Sequence, residues 1–323
     1  MPSSKHSYFY VALSSLSKCY LLLNDISKAT TVAEEGVSIQ RSILDPQHLC
    51  VATSTLILAE CYCFSGDVTN AIINLNQCIE IFRTKLPLAK EGLCKALKGL
   101  GICYFGKDMF PESILFLQES IDLYHSLHCE VEINLAEALL CLGMNYAKVG
   151  DFANAAEPIR KSLSGLVEQS ADYILALCFL SNVALALYML ATCLFPQAHF
   201  SECLQLYLQV RHILVQNRET TSEIMAQVCF MIGSCHMEMS HQREAEKPLL
   251  ESIEIYKAVT PTGSLEMGTA YARLGSLYDV LGDITKATEM LSQGLSVLQQ
   301  IPLRHQTANV AALTADGTTL LHF

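Results

Sequence analysis

Charged residues are scarce in this chain, and basic residues are outnumbered by acidic ones. Only 16% of the residues are Asp, Glu, Lys or Arg, whereas 51% are apolar. Because a typical soluble domain has about 25% charged residues, much of this surface is expected to be buried. Lys and Arg number 21 against 32 Asp and Glu, a formal net charge of -11. This balance argues against a general nucleic-acid binder, which needs basic residues to displace counterions.

Signals of a secreted protein are also missing. No Asn-x-Ser/Thr sequon occurs, and the 14 cysteines are dispersed without the paired spacing of a disulfide scaffold. The opening residues, MPSSKHSYFY, do not combine a charged segment with a long apolar core. We therefore expect a protein of the reducing cytoplasm.

Small residues recur along the chain at a nearly fixed interval. The steps between them are 42 residues, except for one step of 48 between the fourth and fifth. The positions are Ser17, Ala59, Gly101, Gly143, Ala191, Gly233 and Gly275. Three residues beyond each, the chain has Tyr20, Tyr62, Tyr104, Tyr146, Leu194, His236 and Tyr278. Twelve residues beyond each, it has Ala29, Ala71, Ser113, Ala155, Cys203, Ala245 and Ala287. A period in this range predicts stacked units that cannot bury their own apolar faces alone.

Each unit reads as two helices joined by a short turn. In the last unit Leu274, Leu277, Tyr278 and Leu281 fall at the i, i+3, i+4 and i+7 positions of one helix face. The predicted turns carry a residue that tolerates the left-handed conformation, followed by a capping aspartate. They are Asn24-Asp25, Gly66-Asp67, Gly150-Asp151 and Gly282-Asp283. Pro111 fits a first helical turn, whereas Pro158 and Pro248 are expected to kink or open second helices.

The small residues are expected where the two helices of a unit approach most closely. Gly or Ala on the first helix would admit the alanine-bearing face of the second, with the tyrosine in the adjacent gap. Replacing Gly143 or Gly275 by Leu is therefore expected to overpack this contact, by on the order of 1 to 3 kcal/mol.

The small residue, the Tyr, the Gly-Asp turn and the second-helix Ala resemble the tetratricopeptide repeat family. The 42-residue period is similar to the longer-helix subtype of kinesin light chains and nephrocystin-type proteins. The resemblance implies an all-α, right-handed superhelical solenoid of about seven helix-turn-helix repeats. The sequence departs from the family pattern because it has no Trp, because the fifth unit has six extra residues and no Tyr, and because His236 replaces the Tyr of the sixth. A non-repetitive helical fold is the alternative.

We divide the chain into a short lead-in at 1-9, a seven-repeat array at 10-309 and a tail at 310-323. Gly317 lies one more period after Gly275, but Asp316 occupies an otherwise apolar position. The tail would thus be an incomplete eighth repeat, a cap or a disordered end. The early start of the first unit suggests a chain cut from a longer array, or an isoform.

Three stretches could carry other chemistry. Residues 173-195 have no charge over 23 residues and are long enough to cross a bilayer, but they keep the repeat phase, so a buried helix is the preferred interpretation. Residues 101-107, GICYFGK, match a phosphate-loop pattern, but Asp108 replaces the magnesium-binding hydroxyl. Residues 235-241, CHMEMSH, hold soft metal ligands that would not converge on a helix. We predict no catalytic, cofactor or metal site.

The remaining candidate site is the concave groove that the resemblance assigns to the first helices. The residues expected to contact a partner there are Lys95, Lys98, Phe105, Leu140, Met144, Lys148, Tyr188 and Phe230. Two lysines on one face favour an acidic ligand segment, and the Met and aromatic side chains favour an apolar one. The expected function is a non-catalytic scaffold that binds a peptide or partner helix and no nucleic acid, with a membrane-embedded protein as the disfavoured alternative. The alternative is a helical regulatory portion of a larger enzyme. The sequence does not indicate an oligomeric state.

Overall fold

A computed structural model describes residues 4–127, 132–168 and 176–300, and these residues form fourteen α-helices and no strand. The chain divides into two compact units, Met1–Tyr146 and Ala147–Phe323, each of which contains several of the helix-pair repeats. The all-α repeat architecture expected from the sequence is confirmed, because the fourteen helices alternate as the first and second helices of about seven repeats. The residues from 301 onward lie outside the described part, so the predicted tail at 310-323 stays a prediction.

The first unit contains six complete helices and most of a seventh. They are α1 (Ser4–Leu22), α2 (Ile26–Ile43), α3 (Leu49–Ser65), α4 (Val68–Thr84), α5 (Lys90–Phe105), α6 (Phe110–His125) and α7 (Glu132–Val149). The first of them starts at Ser4, ahead of the array boundary at residue 10. Leu75, Phe82, Leu97 and Leu100 are almost fully buried in a core shared by α3, α4 and α5. The core therefore forms between neighbouring helices, as in a stacked repeat.

The second unit contains the other seven helices. They are α8 (Phe152–Glu168), α9 (Ala176–Leu194), α10 (Phe200–Gln216), α11 (Glu223–Glu238), α12 (Gln242–Val259), α13 (Leu265–Val280) and α14 (Ile284–Gln300). Pro158 and Pro248 lie inside α8 and α12, and both helices continue through them. Part of the apolar stretch 173-195 is α9, and none of the described helices has the length and apolarity needed to cross a bilayer.

Seven residues in the left-handed conformation mark the turns between first and second helices. They are Asn24, Gly66, Asp108, Gly150, Ala198, Ser240 and Gly282, all with φ between 58° and 85°. The four predicted turns are confirmed, and the next residue in each caps the second helix. The Asp25 and Asp67 carboxylates, for example, accept hydrogen bonds from the backbone N–H of Lys28 and Asn70. Pro111 lies in the first turn of α6, also as expected.

The small residues face the second helix of their own repeat, as the sequence predicts. A Cβ atom placed on Gly275 would lie 2.7 Å from Cγ of Leu291 and 3.3 Å from the carbonyl oxygen of Ala287. Gly101 and Gly233 have matching contacts with Leu117 and Leu249. The helices are therefore close enough here that the missing side chain is part of the packing.

Where a hydroxyl replaces a hydrogen or methyl at these contacts, it bonds across the helix pair. Ser17 donates from Oγ to the carbonyl oxygen of Ala29 at 2.9 Å, and Ser113 donates to that of Gly101 at 2.7 Å. Each buried hydroxyl thus has a partner, which removes the cost of burying it unpaired. Serine can substitute for Gly or Ala at either side of the contact.

Two of the regularly spaced tyrosines donate hydrogen bonds between successive repeats. Tyr62 on α3 donates its hydroxyl to Oε1 of Glu34 on α2 at 2.6 Å, and this bond raises the pKa of the phenol to about 12. In the second unit Tyr278 on α13 donates to Oε1 of Glu246 on α12 at 2.8 Å. In these two repeats the tyrosine therefore ties the first helix to the second helix of the preceding repeat.

Candidate functional site

A charged cluster lies on the surface formed by the first helices of successive repeats in the first unit, which we call the first-helix face. Lys98 on α5 donates from Nζ to Oε2 of Glu137 at 2.6 Å and to Oδ1 of Asn134 at 2.7 Å, both on α7. The Lys98 side chain is only 13% exposed, whereas that of Glu137 is 37% exposed. Because the ammonium has two oxygen partners, its burial is compensated.

Glu60 on α3 belongs to the same cluster. Burial raises the pKa of its carboxyl, which the positive charges of Lys18, Lys98 and Lys95 partly oppose. The nearby Glu137 carboxylate acts in the same direction as burial. Side chains from four first helices, α1, α3, α5 and α7, thus share one electrostatic environment. We call Lys18, Glu60, Lys95, Lys98 and Glu137 the inner charge cluster.

Lys95 has an internal partner of its own. Its Nζ lies 2.6 Å from Oε1 of Glu91, one turn earlier on α5, and the lysine side chain is 33% exposed. Such an i,i+4 pair at the surface contributes about 0.3–0.5 kcal/mol. A ligand carboxylate could replace Glu91 at small cost, whereas reaching Lys98 requires competing with Glu137 and Asn134.

The apolar residues predicted for the first unit differ in how much surface they offer. Phe105 is half-buried and packs edge-on against Phe110, with ring centroids 5.9 Å apart. Met144 on α7 is also half-buried. Leu140 is only 5% exposed, so it supports the face from below and offers little surface to a ligand.

The predicted residues of the second unit form a separate set. Tyr188 on α9 is half-buried, donates from its hydroxyl toward Oε1 of Gln227 on α11 at 3.4 Å, and packs edge-on against Tyr207. Phe230 on α11 is half-buried, and Lys148 is exposed near the end of α7. Of the three predicted residues in this unit, two are aromatic and one is charged.

Sequence reasoning missed the acidic and amide partners on α7. Asn134 and Glu137 hold Lys98, but neither was among the predicted groove residues. A signal was present, because Glu137 lies one 42-residue period after Lys95 and so occupies the same repeat position with opposite charge. Opposite charges at one repeat position suggest an ion pair between neighbouring first helices, but in the structure the partner of Glu137 is Lys98, three residues after Lys95.

The described residues contain no group of three or more His, Cys, Asp and Glu side chains that could hold a metal ion. In the segment 235-241, the rings of His236 and His241 lie 6.0 Å apart between centroids. The phosphate-loop pattern at 101-107 lies at the end of α5. That end of a helix presents carbonyl oxygens, whereas phosphate binds at N-termini.

Comparison with known proteins agrees with the architecture. No protein-family model matches the chain, and no curated protein matches it. Solved structures do match. The signal transduction ATPase with numerous domains and a tetratricopeptide repeat sensor, from Pyrococcus horikoshii, gives a TM-score of 0.68 at 12% identity, over 93% of this chain and 43% of that one. The fold is of the tetratricopeptide repeat type.

Two further structures show the same likeness over most of their own length. The apo form of RapI gives a TM-score of 0.61 at 10% identity, over 90% of this chain and 98% of that one. A Rap protein complexed with competence and sporulation factor gives 0.57 at 14% identity, over 91% of this chain and 77% of that one. At these identities the comparison establishes the tetratricopeptide-type fold alone, and the 42-residue subtype stays a prediction.

Proposed function

We propose that this tetratricopeptide-type protein is a non-catalytic scaffold of the cytoplasm that binds a peptide segment or partner helix on its first-helix face. The observation that carries the proposal is the inner charge cluster, to which four first helices contribute charges. The half-buried Phe105 and Met144 lie two helical turns after Lys98 and Glu137, on the same helices. The free thiols of the described cysteines fit a reducing compartment. The Rap protein that was solved in complex with a factor is a structural precedent for a bound partner.

The ligand we propose combines an apolar side chain with neighbouring carboxylates. The apolar group would pack on Phe105 and Met144, and a carboxylate would displace Glu91 from Lys95, the more exposed of the two lysines. Because this exchange replaces one surface ion pair by another, we expect the charged contact to supply specificity more than affinity. Binding should therefore weaken as ionic strength rises.

The test is selection of a random peptide library on the intact protein, followed by binding measurements with the selected peptides. Enrichment of peptides that combine acidic and apolar residues is expected. The double variant Lys95→Gln with Met144→Ser should lose at least tenfold in affinity. The control variant Lys85→Gln with Met109→Ser changes the same residue types at exposed sites off this face, and it should bind as the wild type does.

The outcome that would reject the proposal is equal binding by both double variants, with helical content unchanged in each. We avoid charge reversal at Lys98 in this test, because a glutamate there would lie beside Glu137 and in the field of Glu60. Such a variant could lose its fold, and lost binding would then carry no information.

A second candidate function is a helical regulatory portion of a larger multidomain enzyme. The observation that favours it is the match to the Pyrococcus horikoshii protein, in which a comparable helical region makes up 43% of a chain described as an ATPase with a repeat sensor. Mapping the transcript ends would test this, because an additional domain in frame with residues 1-323 would favour it. A transcript that encodes these residues alone would reject it.

A further inference from the structure

Two cysteines from successive repeats lie in contact in the first unit. The Sγ atoms of Cys63 on α3 and Cys103 on α5 are 3.5 Å apart. Cys103 is 3% exposed, whereas Cys63 is half-buried and can be reached from solvent. A disulfide bond needs about 2.05 Å between its sulfurs, so the gap to be closed is about 1.5 Å. Rotation about the Cα–Cβ bonds and a small helix shift can supply that movement.

This pairing is peculiar to one contact of the repeat. Cysteine is frequent at the position of Cys103, two residues after the small residue, where it also occurs as Cys19, Cys61, Cys193 and Cys235. The position of Cys63, four residues after the small residue, instead carries Leu21, Phe105, Ala147, Phe195, Met237 and Asp279 in the other repeats. In the sequence pattern, the contact between the second and third repeats is therefore the one that brings two cysteines together.

The surroundings favour one thiolate in the pair. The S–H group of Cys63 can donate to a Cys103 thiolate, and this bond, with the positive charge of Lys107, lowers the pKa of Cys103. The same bond raises the pKa of Cys63. Most other buried thiols here behave differently, since burial raises the pKa of Cys78 and Cys193 to about 12. The negative charge of the pair therefore lies on Cys103, and the half-buried Cys63 keeps the proton.

We propose that Cys63 and Cys103 are a redox site, and that a hydroperoxide converts them into a reversible intrachain disulfide that fastens α3 to α5. The thiolate sulfur attacks one peroxide oxygen, the O–O bond breaks, and a sulfenic acid and hydroxide (or alkoxide) form. The second sulfur then attacks the sulfenic sulfur, the S–O bond breaks, and water leaves with the proton of the second thiol. The two thiols lose two electrons and two protons, and the peroxide is reduced by the same two electrons.

The site also offers a means of regulation. Glu60 and Lys98, which belong to the inner charge cluster, lie on the two helices that the bond would join. Lys95 and Phe105, which would receive the ligand, also lie on α5, so a bond from α3 to α5 would restrict the movement of the helix that carries them. This consequence rests on the proposed function, whereas formation of the disulfide does not.

The test is treatment of the full chain with hydrogen peroxide, followed by blocking of free thiols in denaturant and peptide mapping by mass spectrometry. We expect a peptide that contains the Cys63–Cys103 link, with loss of both thiols, and full return of both after dithiothreitol. A dominant link between other cysteines, a covalent dimer, or irreversible oxidation of Cys103 without a link would each overturn the proposal. So would persistence of both thiols under peroxide.

Variants separate the site from general cysteine reactivity. Cys63→Ala should fold normally, because the other repeats accept Leu, Phe, Ala and Met at this position, and it should abolish the reversible loss of the Cys103 thiol. Cys61→Ala is the matched control, since Cys61 occupies the repeat position of Cys103 but faces position 21 without a thiol, and it should leave the link unchanged. If the link forms but selected peptides bind oxidised and reduced protein equally, the redox site stands and its regulatory consequence fails.

Discussion

The turns between helices show that different residue types can adopt the same left-handed backbone conformation. All seven turns need a left-handed residue, and three of them use Gly66, Gly150 and Gly282. Ala198 adopts the same conformation with φ of 61°, although a side chain makes it unfavourable by roughly 1–2 kcal/mol. The repeat therefore tolerates strain at this position.

Replacing Ala198 by glycine should relieve this strain. We expect Ala198→Gly to raise the free energy of unfolding by about 0.5–1 kcal/mol, since the gain is reduced by the extra entropy of glycine in the unfolded chain. Urea denaturation followed by circular dichroism measures it. The control Ala272→Gly makes the same change inside α13 and should instead lower stability by about 1 kcal/mol. A loss at both sites would contradict this explanation.

The carboxyl of Glu60 gives a second prediction for a single residue. Burial raises its pKa above the ordinary 4.5, so the folded protein binds more protons than the unfolded chain as pH rises past that value. Stability is consequently lost as pH rises through the folded pKa. Glu60→Gln should raise the free energy of unfolding at pH 7 and make its pH dependence less steep, as measured by urea titrations from pH 4 to 8.

The exposed Glu80 on α4 supplies the control for this measurement. Glu80→Gln should leave the slope of stability against pH unchanged. A Glu60→Gln variant with the wild-type slope would show that the carboxyl is as well solvated in the folded protein as in the unfolded chain.

At the scale of helices, the contact between the two helices of a repeat limits side-chain size. In the last repeat a Cβ on Gly275 would lie 2.7 Å from Cγ of Leu291, which is 41% exposed and so has room to move outward. Gly275→Ala should lower stability by about 1–3 kcal/mol. Adding Leu291→Ala should recover part of that loss, so a double-mutant cycle should give a favourable coupling of at least about 0.5 kcal/mol. Purely additive effects would show that the two side chains do not compete for the same space.

Much of this element structure could be predicted from the sequence, because close packing and turn geometry act locally. The 42-residue phase identified the buried small residues and the glycine turns. It did not identify Asp108, Ala198 and Ser240 as left-handed, since alanine and serine rarely adopt that conformation and the stacking of the helices imposes it.

The candidate site was less accessible to sequence reasoning. The groove prediction placed Lys95 and Lys98 on one face, but only the structure shows that Glu91, Glu137 and Asn134 already bind them. Likewise, Leu140 was expected to contact a ligand and is 5% exposed. The partners and the burial of a side chain depend on how neighbouring helices are aligned, and the 42-residue period alone does not specify that alignment.

At the scale of the whole molecule, the helix contacts are local in sequence. The main contacts within each unit join consecutive helices, with weaker ones between successive first helices such as α3 and α5 or α11 and α13. Stability in such an array is approximately a sum of repeat and nearest-neighbour terms. A packing defect should therefore stay close to its origin in the chain.

Replacing Leu249 tests this locality. Its side chain is fully buried on α12 and packs against Gly233, so Leu249→Ala should cost about 2–5 kcal/mol. Its neighbour Leu250 is 39% exposed, and Leu250→Ala should cost less than about 1 kcal/mol. In native-state hydrogen exchange, Leu249→Ala should lower amide protection in α11, α12 and α13 and leave α1 to α4 unchanged. An equal loss of protection in all these helices would contradict this expectation. It would mean that the chain unfolds as a single cooperative unit, so that one substitution lowers the free energy of opening of every helix equally.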